Sequence, residues 1–480
     1  MEENIRGKAF SGIIWGGMEK LSLQIFGFVQ GIILARLLSP ADYGLVAMVG
    51  IFVMLSYTFV DAGFGTALIQ KKDRTEKDYS TVFLMNLSLS FFISLILFLS
   101  APFIADFYKE HILTEIVRTY SFIIILSSLV AIQDVRLSIF LEFKKKSIIN
   151  MVITVVSGVL SIILAFSGYG VWSLIYPQFV MLFVKCLLYW HFQHWIPKLT
   201  FSRESFCKLF GFGSKILISS IMATFSGNIY SLVIGKIFSA SALGFYGRAD
   251  GYAALPVKTI TGVVDSITYP VLSKFQDNDA QLIGSFKRML RISAYVIFPI
   301  MIGLVVLAKP LVLILVTEKW LPCVVYLQVL CFARMWWHVH ILNLNLLKAR
   351  GCSDLFLKLE VVKQFTVIFF LIVSAPFGIL AICVGSVFSS LVSMCINSYY
   401  TGKLLQFGIV KQLKEMLPSI LYSLTMGIIV YLSVFFLSSM WLRLLVGICV
   451  GMFSYVLLSV LTKSQDFNYL FALVREKIGK

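Results

Sequence analysis

A chain of 480 residues with 59% hydrophobic and 14% charged residues, and a mean hydropathy of +0.90, lies outside the soluble globular class, where roughly 45–50% apolar and about 25% charged residues are usual. The formal charge of +17 comes from 41 Lys and Arg against 24 Asp and Glu. Most of the basic residues sit in short polar loops, so the excess reads as membrane topology and attraction to anionic headgroups, not nucleic-acid binding. Eight scattered cysteines with no C-x-x-C pair argue against a disulfide or metal framework, and the lack of a G-x-x-x-x-G-K-[ST] loop argues against ATP hydrolysis.

Apolar runs long enough to cross a hydrocarbon core about 30 Å thick recur along the chain and predict an all-α polytopic membrane protein of about 14 transmembrane helices. The first six spans are 10–35, 43–66, 81–105, 116–141, 148–167 and 171–193. The next six are 213–235, 243–271, 291–308, 324–347, 358–375 and 377–400, followed by 417–437 and 442–462. The first span is too long for a cleavable signal peptide and follows an acidic Met1-Glu-Glu. Gly12/Gly16 and Gly27/Gly31 match the small-xxx-small pattern of close helix packing, and Pro177 and Pro256 are tolerable inside membrane helices.

The chain also repeats itself. Arg36-Leu-Leu-Ser39-Pro-Ala-Asp-Tyr-Gly44 returns 200 positions later as Lys236-Ile-Phe-Ser239-Ala-Ser-Ala-Leu-Gly244, and Asp61-Ala-Gly-Phe-Gly-Thr-Ala-Leu68 is answered by Asp265-Ser-Ile-Thr-Tyr-Pro-Val-Leu272. Two repeated hydrophobic halves suit the construction of a secondary transporter. The predicted organisation is a six-helix lobe over 1–205, a second over 206–402, and two extra helices with a tail over 403–480.

Orientation follows from the basic residues in the loops. One side holds about 27 of them, including Arg6, Lys8, Lys71, Arg74, Lys144–Lys146, Lys274, Arg288, Lys477 and Lys480. The other side holds about seven, so both termini are expected in the cytoplasm. No outside loop is large enough to carry a glycan-building catalytic domain, which confines the work to the helix bundle.

Seven cationic residues fall at membrane depth: Lys20, Arg136, Lys185, Arg248, Lys258, Arg334 and Lys363. Their acidic companions are Glu19, Asp61, Asp134, Asp250, Asp265 and Glu360. Each central charge costs at least about 2.5–3.5 kcal/mol on insertion scales, so such groups face protein or water. On an unbroken tenth span, Arg334, His338 and Asn345 project within about 40° of one another. With Trp337 beside them, they predict an anion-binding and proton-sensitive wall, because guanidinium matches phosphate as a fork and indole faces suit sugars. On span eight, Lys258, Gly262, Asp265 and Tyr269 share a face, with Arg248 and Asp250 nearer its outer end. Lys20 and Lys185 complete the candidate binding set. Asp61 and Asp265 hold matching places in the two halves, as gating contacts or as helix-end locks. Arg136 and Lys363 lie near the inner boundary, where snorkelling explains them.

The strings A-R-L-L-S-P-A-D-Y-G-L-V-A-M, V-D-A-G-F-G-T-A-L-I-Q and D-Y-S-T-V-F-L-M-N-L resemble the bacterial polysaccharide transporters, the lipid-linked oligosaccharide and O-antigen flippases of the multidrug/oligosaccharidyl-lipid/polysaccharide exporter superfamily. The detailed match covers about residues 10–90. The resemblance implies two six-helix lobes with a pseudo-two-fold along the membrane normal around a V-shaped cavity, plus two C-terminal helices. It implies movement of undecaprenyl-pyrophosphate oligosaccharide across the bacterial inner membrane by alternating access, for lipopolysaccharide, capsule or exopolysaccharide synthesis. No enzymatic step and no cofactor are expected. A coupling proton or sodium ion would act through His338 or one of Asp61, Asp265 and Asp250. Expected partners are the lipid-linked cargo and membrane lipids, with a polysaccharide polymerase and a chain-length regulator, and no nucleic acid. The competing expectations are a cation-coupled multidrug antiporter of the same superfamily, which would want a net acidic cavity, and a scaffold of the assembly machinery.

Overall fold

The computed structural model describes residues 2–193 and 195–478. Lys480 and the side chains of Arg6, Lys8 and Lys477, counted above for topology, lie outside the described residues. In chain order the helices are α1 (Glu2–Leu37), α2 (Pro40–Asp61), α3 (Phe64–Gln70), α4 (Glu76–Tyr108), α5 (Leu113–Ile139), α6 (Phe143–Phe166) and α7 (Trp172–Gln193). They continue with α8 (Arg203–Ile237), α9 (Ala240–Lys274), α10 (Asp279–Val316), α11 (Cys323–Arg334), α12 (Trp337–Ala349) and α13 (Ser353–Ser374). The last four are α14 (Ile379–Leu405), α15 (Ile409–Phe435), α16 (Met440–Leu461) and α17 (Gln465–Ile478). No strand occurs among the described residues.

Among the described residues, eleven segments are long and apolar enough to cross a membrane, with α2 and α3 forming one of them. The other three crossings of the expected 14 are α9, the α11–α12 pair and α13. Each carries charged residues within its length: Arg248, Asp250, Lys258 and Asp265 on α9, for example.

Helix starts follow local chemistry. Ser39 and Thr75 each form a reciprocal capping box, with Asp42 and Asp78 respectively, satisfying backbone donors that a helix start leaves open. One expectation needs correcting. The segment 324–347 is not a single helix; it breaks at Met335–Trp336, between α11 and α12. Trp336 has φ −83° and ψ −4°, and the Val339 N–H bonds to the Trp336 carbonyl instead of the Met335 carbonyl. The Met335 carbonyl is instead met by Nδ1 of His338 at 2.8 Å.

The chain forms two compact units, Met1–Gly244 and Phe245–Lys480. In the first, the core gathers Phe64, Leu68, Tyr79, Val82, Phe83, Ile132 and Trp195 from α3, α4, α5 and the segment after α7. Helix α8 runs against α2. Thr58 and Thr224 hydroxyls lie 3.1 Å apart, and a Cβ on Gly63 would meet the Gly213 carbonyl oxygen at 2.5 Å. At the other end the two copies of the sequence repeat touch. A Cβ on Gly44 would overlap the Ala240 carbonyl, and one on Gly244 would overlap the Pro40 carbonyl. Glycine is required at both places because backbone packs directly on backbone.

In the second unit, α10 packs against α15 and α16. Gly427 lies against Ile302 and Gly447 against Leu307, each with room for no Cβ, since one would come to 2.6 Å. Tyr295 donates to Ser459 at 2.7 Å, and Tyr455 to the Tyr295 carbonyl at 2.8 Å. Farther along, the buried amides of Asn343 and Gln412 exchange two hydrogen bonds of 3.0 Å, with Thr401 and Ser398 donating into the same pair. These contacts fasten the last helices to the second repeat.

Candidate functional site

The clearest polar site of the second unit lies where α9 faces the α11–α12 break. At 100° per residue, Asp250, Lys258 and Asp265 fall within about 80° on one side of α9. Arg334, at the last turn of α11, donates from Nε and Nη2 to Asp250 Oδ1 at 2.8 and 2.6 Å. Both side chains are 28% exposed, so the pair reaches solvent-accessible space without being surface-borne. The Arg334 guanidinium also lies 5.3 Å from the centre of the Trp337 ring. Farther along the same helices, Asn345 donates to Asp265 Oδ1 at 2.7 Å. Lys258 is exposed between these two contacts, with no ion-pair partner among the described residues. Arg248 stacks on Trp320 at 5.1 Å and Tyr252 at 5.7 Å.

The stripe read from the sequence is kept only in part. Arg334 and Asn345 turn toward α9, but His338 is completely buried. Its ring packs edge-on to Phe298, 5.4 Å between centres, and its Nε2 has no hydrogen-bond partner among the described residues.

The first unit holds a second basic cluster. Asp134 of α5 accepts from Lys146 at 2.5 Å and from the Tyr189 hydroxyl at 2.8 Å, and Lys185 lies 3.5 Å away. Lys185 also sits over the Tyr189 ring at 5.1 Å. Two ammonium groups share one carboxylate, which leaves the cluster net positive. Glu19 accepts from Ser147 at 2.6 Å and Asn150 at 2.7 Å, while Lys20 is exposed on α1. The sequence placed Lys146 in a loop and gave it no role; its signal was its place 12 residues beyond Asp134 across a short turn.

Asp61 ends α2, and its carboxylate accepts backbone N–H groups of Gly63 and Gly65. Ala62 and Gly63 are both left-handed there, at φ 43° and 71°. Arg74 donates to the Leu68 and Ile69 carbonyls at 2.8 and 2.6 Å. The matching residue, Asp265, lies within α9 and accepts from a side-chain amide, so the two aspartates have different surroundings. Arg136 is sandwiched by Trp195 and Tyr79, and Lys363 pairs with Glu360.

An apolar cavity of about 540 Å³ opens between α10, α15 and α16. Leu304, Leu307, Val430, Leu444, Ile448 and Met452 are among its walls, which carry no charged group. The two places differ in chemistry: a hydrogen-bonded guanidinium beside an indole face, and a hydrocarbon-lined slot. No group of three or more His, Cys, Asp or Glu suited to a metal ion occurs among the described residues.

This is an all-α, multi-pass membrane architecture. The structure resembles an inward-closed lipid II flippase MurJ, with TM-score 0.76, 15% identity and 94% of this chain aligned to 98% of that one. An inward-facing multidrug transporter of the same superfamily aligns with TM-score 0.61 and 14% identity over 81% of this chain and 96% of the other. The family model for polysaccharide biosynthesis proteins matches residues 33–325, and the chain belongs to that family. Among its relatives, the teichuronic acid biosynthesis protein TuaB of Bacillus subtilis (strain 168) is 27% identical over 354 residues, 73% of each chain. The lipopolysaccharide biosynthesis protein WzxC of Escherichia coli (strain K12) is 26% identical over 368 residues, 75% of this chain and 74% of that one.

Proposed function

We propose that the protein moves a lipid-linked oligosaccharide across the bacterial cytoplasmic membrane, the sugar being joined to its prenyl carrier through a pyrophosphate. Membership of the polysaccharide biosynthesis family and a fold shared with a lipid II flippase support this reading. The observation that carries it is the Arg334–Asp250 pair stacked on Trp337, at a depth where a charge is kept only for use. A pyrophosphate offers Arg334 the same two-pronged acceptor that Asp250 offers, so cargo and carboxylate compete for one guanidinium. Lys258, on the same face of α9, supplies a second positive charge.

Transport proceeds by alternating access, with both termini on the cytoplasmic side. When cargo displaces Asp250 from Arg334, the freed carboxylate must be neutralised, and a proton or sodium ion does so. This makes Asp250 the coupling group and ties ion binding to occupancy by cargo. Asp265, held by Asn345, and Asp61, at the helix end, set the geometry of their helices. The apolar slot of α10, α15 and α16 accommodates part of the prenyl tail while the glycan stays in water.

The test is reconstitution into vesicles with a fluorescent, tail-anchored oligosaccharide lipid. Protein-dependent change in its protection from an external lectin is expected, and Arg334→Ala and Lys258→Ala should reduce that movement with membrane abundance unchanged. Equal movement by both variants and the unmodified protein would discard the site.

A further inference from the structure

A second pocket, of about 680 Å³, lies between the ends of α9 and α10 and the C-terminal helix α17. Its lining includes none of Arg334, Asp250, Lys258 and Trp337, and it has a different composition. One end is apolar, walled by Val264, Ile267 and Val271 of α9, Ile292 of α10 and Leu470 of α17. The hydroxyls near that end are already used: Thr268 donates to the Val264 carbonyl at 2.6 Å and Ser293 to the Met289 carbonyl at 2.8 Å. The other end presents Gln281, Ser285 and Arg288. Its lining contains one cation and no carboxylate.

Arg288 differs from its neighbours. Lys287 and Arg291 are engaged with Glu415, at 3.4 and 3.5 Å, and Arg291 also with Asp466 at 3.3 Å. Arg288 has no carboxylate partner among the described residues; it is exposed and lies over the Tyr469 ring at 5.3 Å. Helix α17 is therefore held to α10 at its start through Arg291, Asp466 and Gln465, and along its length by the ring that Arg288 covers.

We propose that this pocket binds an anionic glycerophospholipid, with the phosphodiester on Arg288 and an acyl chain along the α9 wall, and that its occupancy holds α17 against α10. The chemistry of the walls selects an amphiphile, because a small anion would leave the hydrocarbon end empty. A lone guanidinium without a competing carboxylate selects a negative headgroup. The basic-loop asymmetry places this edge of the bundle at the cytoplasmic leaflet, where juxtamembrane basic residues meet anionic lipid. An amphipathic helix at a membrane surface binds in part through attraction to anionic lipids.

The test uses the purified full-length chain in a non-ionic detergent. Phosphatidylglycerol, phosphatidylcholine and inorganic phosphate are titrated separately, bound lipid is read by native mass spectrometry, and order in α17 by amide hydrogen exchange. Phosphatidylglycerol is expected to bind about tenfold more tightly than phosphatidylcholine and to slow exchange in α17. Arg288→Gln should abolish that preference, and Lys215→Gln, an exposed lysine of the other unit, should keep it. Ser285→Leu, which fills the polar end without changing charge, should also weaken lipid binding. Equal affinity for the two lipids, an unchanged preference in Arg288→Gln and Ser285→Leu, or full protection of α17 by inorganic phosphate alone would each overturn the proposal.

Discussion

Replacing Arg334 by alanine removes both the fork that Asp250 accepts and the cation that covers Trp337. If the site grips a pyrophosphate, transport should fall at least about tenfold, equivalent to about 1.4 kcal/mol of lost interaction. Arg334→Lys should recover only part of it, because an ammonium is a point charge without the planar fork. The exchange Arg334→Asp with Asp250→Arg separates stability from binding. It should restore the melting temperature lost in Asp250→Asn, which leaves a partly buried guanidinium without its charge partner, while transport stays low because the guanidinium has moved to α9. Recovery of transport in the exchanged protein would mean that the pair is purely structural. Arg334 and Asp250 were visible in the sequence as charges at membrane depth. Their pairing was not, since 84 residues separate them and only the packing of α9 against α11 joins them. His338 lies on the projected stripe beside Asn345, but Phe298 of α10 packs on its ring and buries it, a contact that projection along one helix does not show.

At the scale of elements, the closest contacts are made by glycine. Gly44→Val should lower thermal stability markedly, because its side chain would occupy the space of the Ala240 carbonyl, whereas Gly16→Ala should change nothing, having no atom within 4 Å of the added Cβ. Thermal denaturation followed by size-exclusion chromatography checks both. The sequence showed that the motifs around Gly44 and Gly244 repeat, but not that the copies touch, because a repeat specifies similarity and not contact. The small-xxx-small pairs behaved unevenly for the same reason: Gly12 packs on Phe143, while Gly16 and Gly27 meet open space. The paired amides of Asn343 and Gln412 join α12 to α15 in the interior. Removing one partner, as in Gln412→Leu, should cost about 1–3 kcal/mol by leaving buried groups unsatisfied, and the double variant with Asn343→Leu should cost less than the sum. Helix α17 adds a pH dependence. Burial pushes the Asp466 carboxyl above its ordinary value, Arg291 opposing and Glu415 adding to the rise. A raised folded-state value means that docking of α17 is strongest below the ordinary carboxylate range, about pH 4, and is lost as pH rises through the raised value. Hydrogen exchange in α17 should therefore speed up with rising pH beyond the intrinsic rate, and Asp466→Asn should remove that excess.

For the whole molecule, hydropathy alone located the crossings, since an apolar run of sufficient length has few alternatives to a membrane helix. The three crossings outside the eleven include those that carry the Arg334 site: α9 and α13 hold charges within their runs, and α11 and α12 are helices of only 12 and 13 residues. Charges and breaks within a crossing dilute the very pattern by which membrane helices are recognised. The attachment of α15 and α16 to α10, through Gly427, Gly447 and the Tyr295–Ser459–Tyr455 contacts, was silent in sequence because small residues and tyrosines mark no partner until the helices are packed. The account rests on recognition of phosphate within a lipid-linked sugar, and one comparison addresses it. Two carriers with the same glycan and the same prenyl tail, one joined by pyrophosphate and one by a neutral linker, are offered to vesicles containing the protein. The pyrophosphate carrier should cross at a protein-dependent rate that the neutral one does not reach, and Arg334→Ala should erase the difference. Equal crossing of both carriers by the unmodified protein would contradict the account.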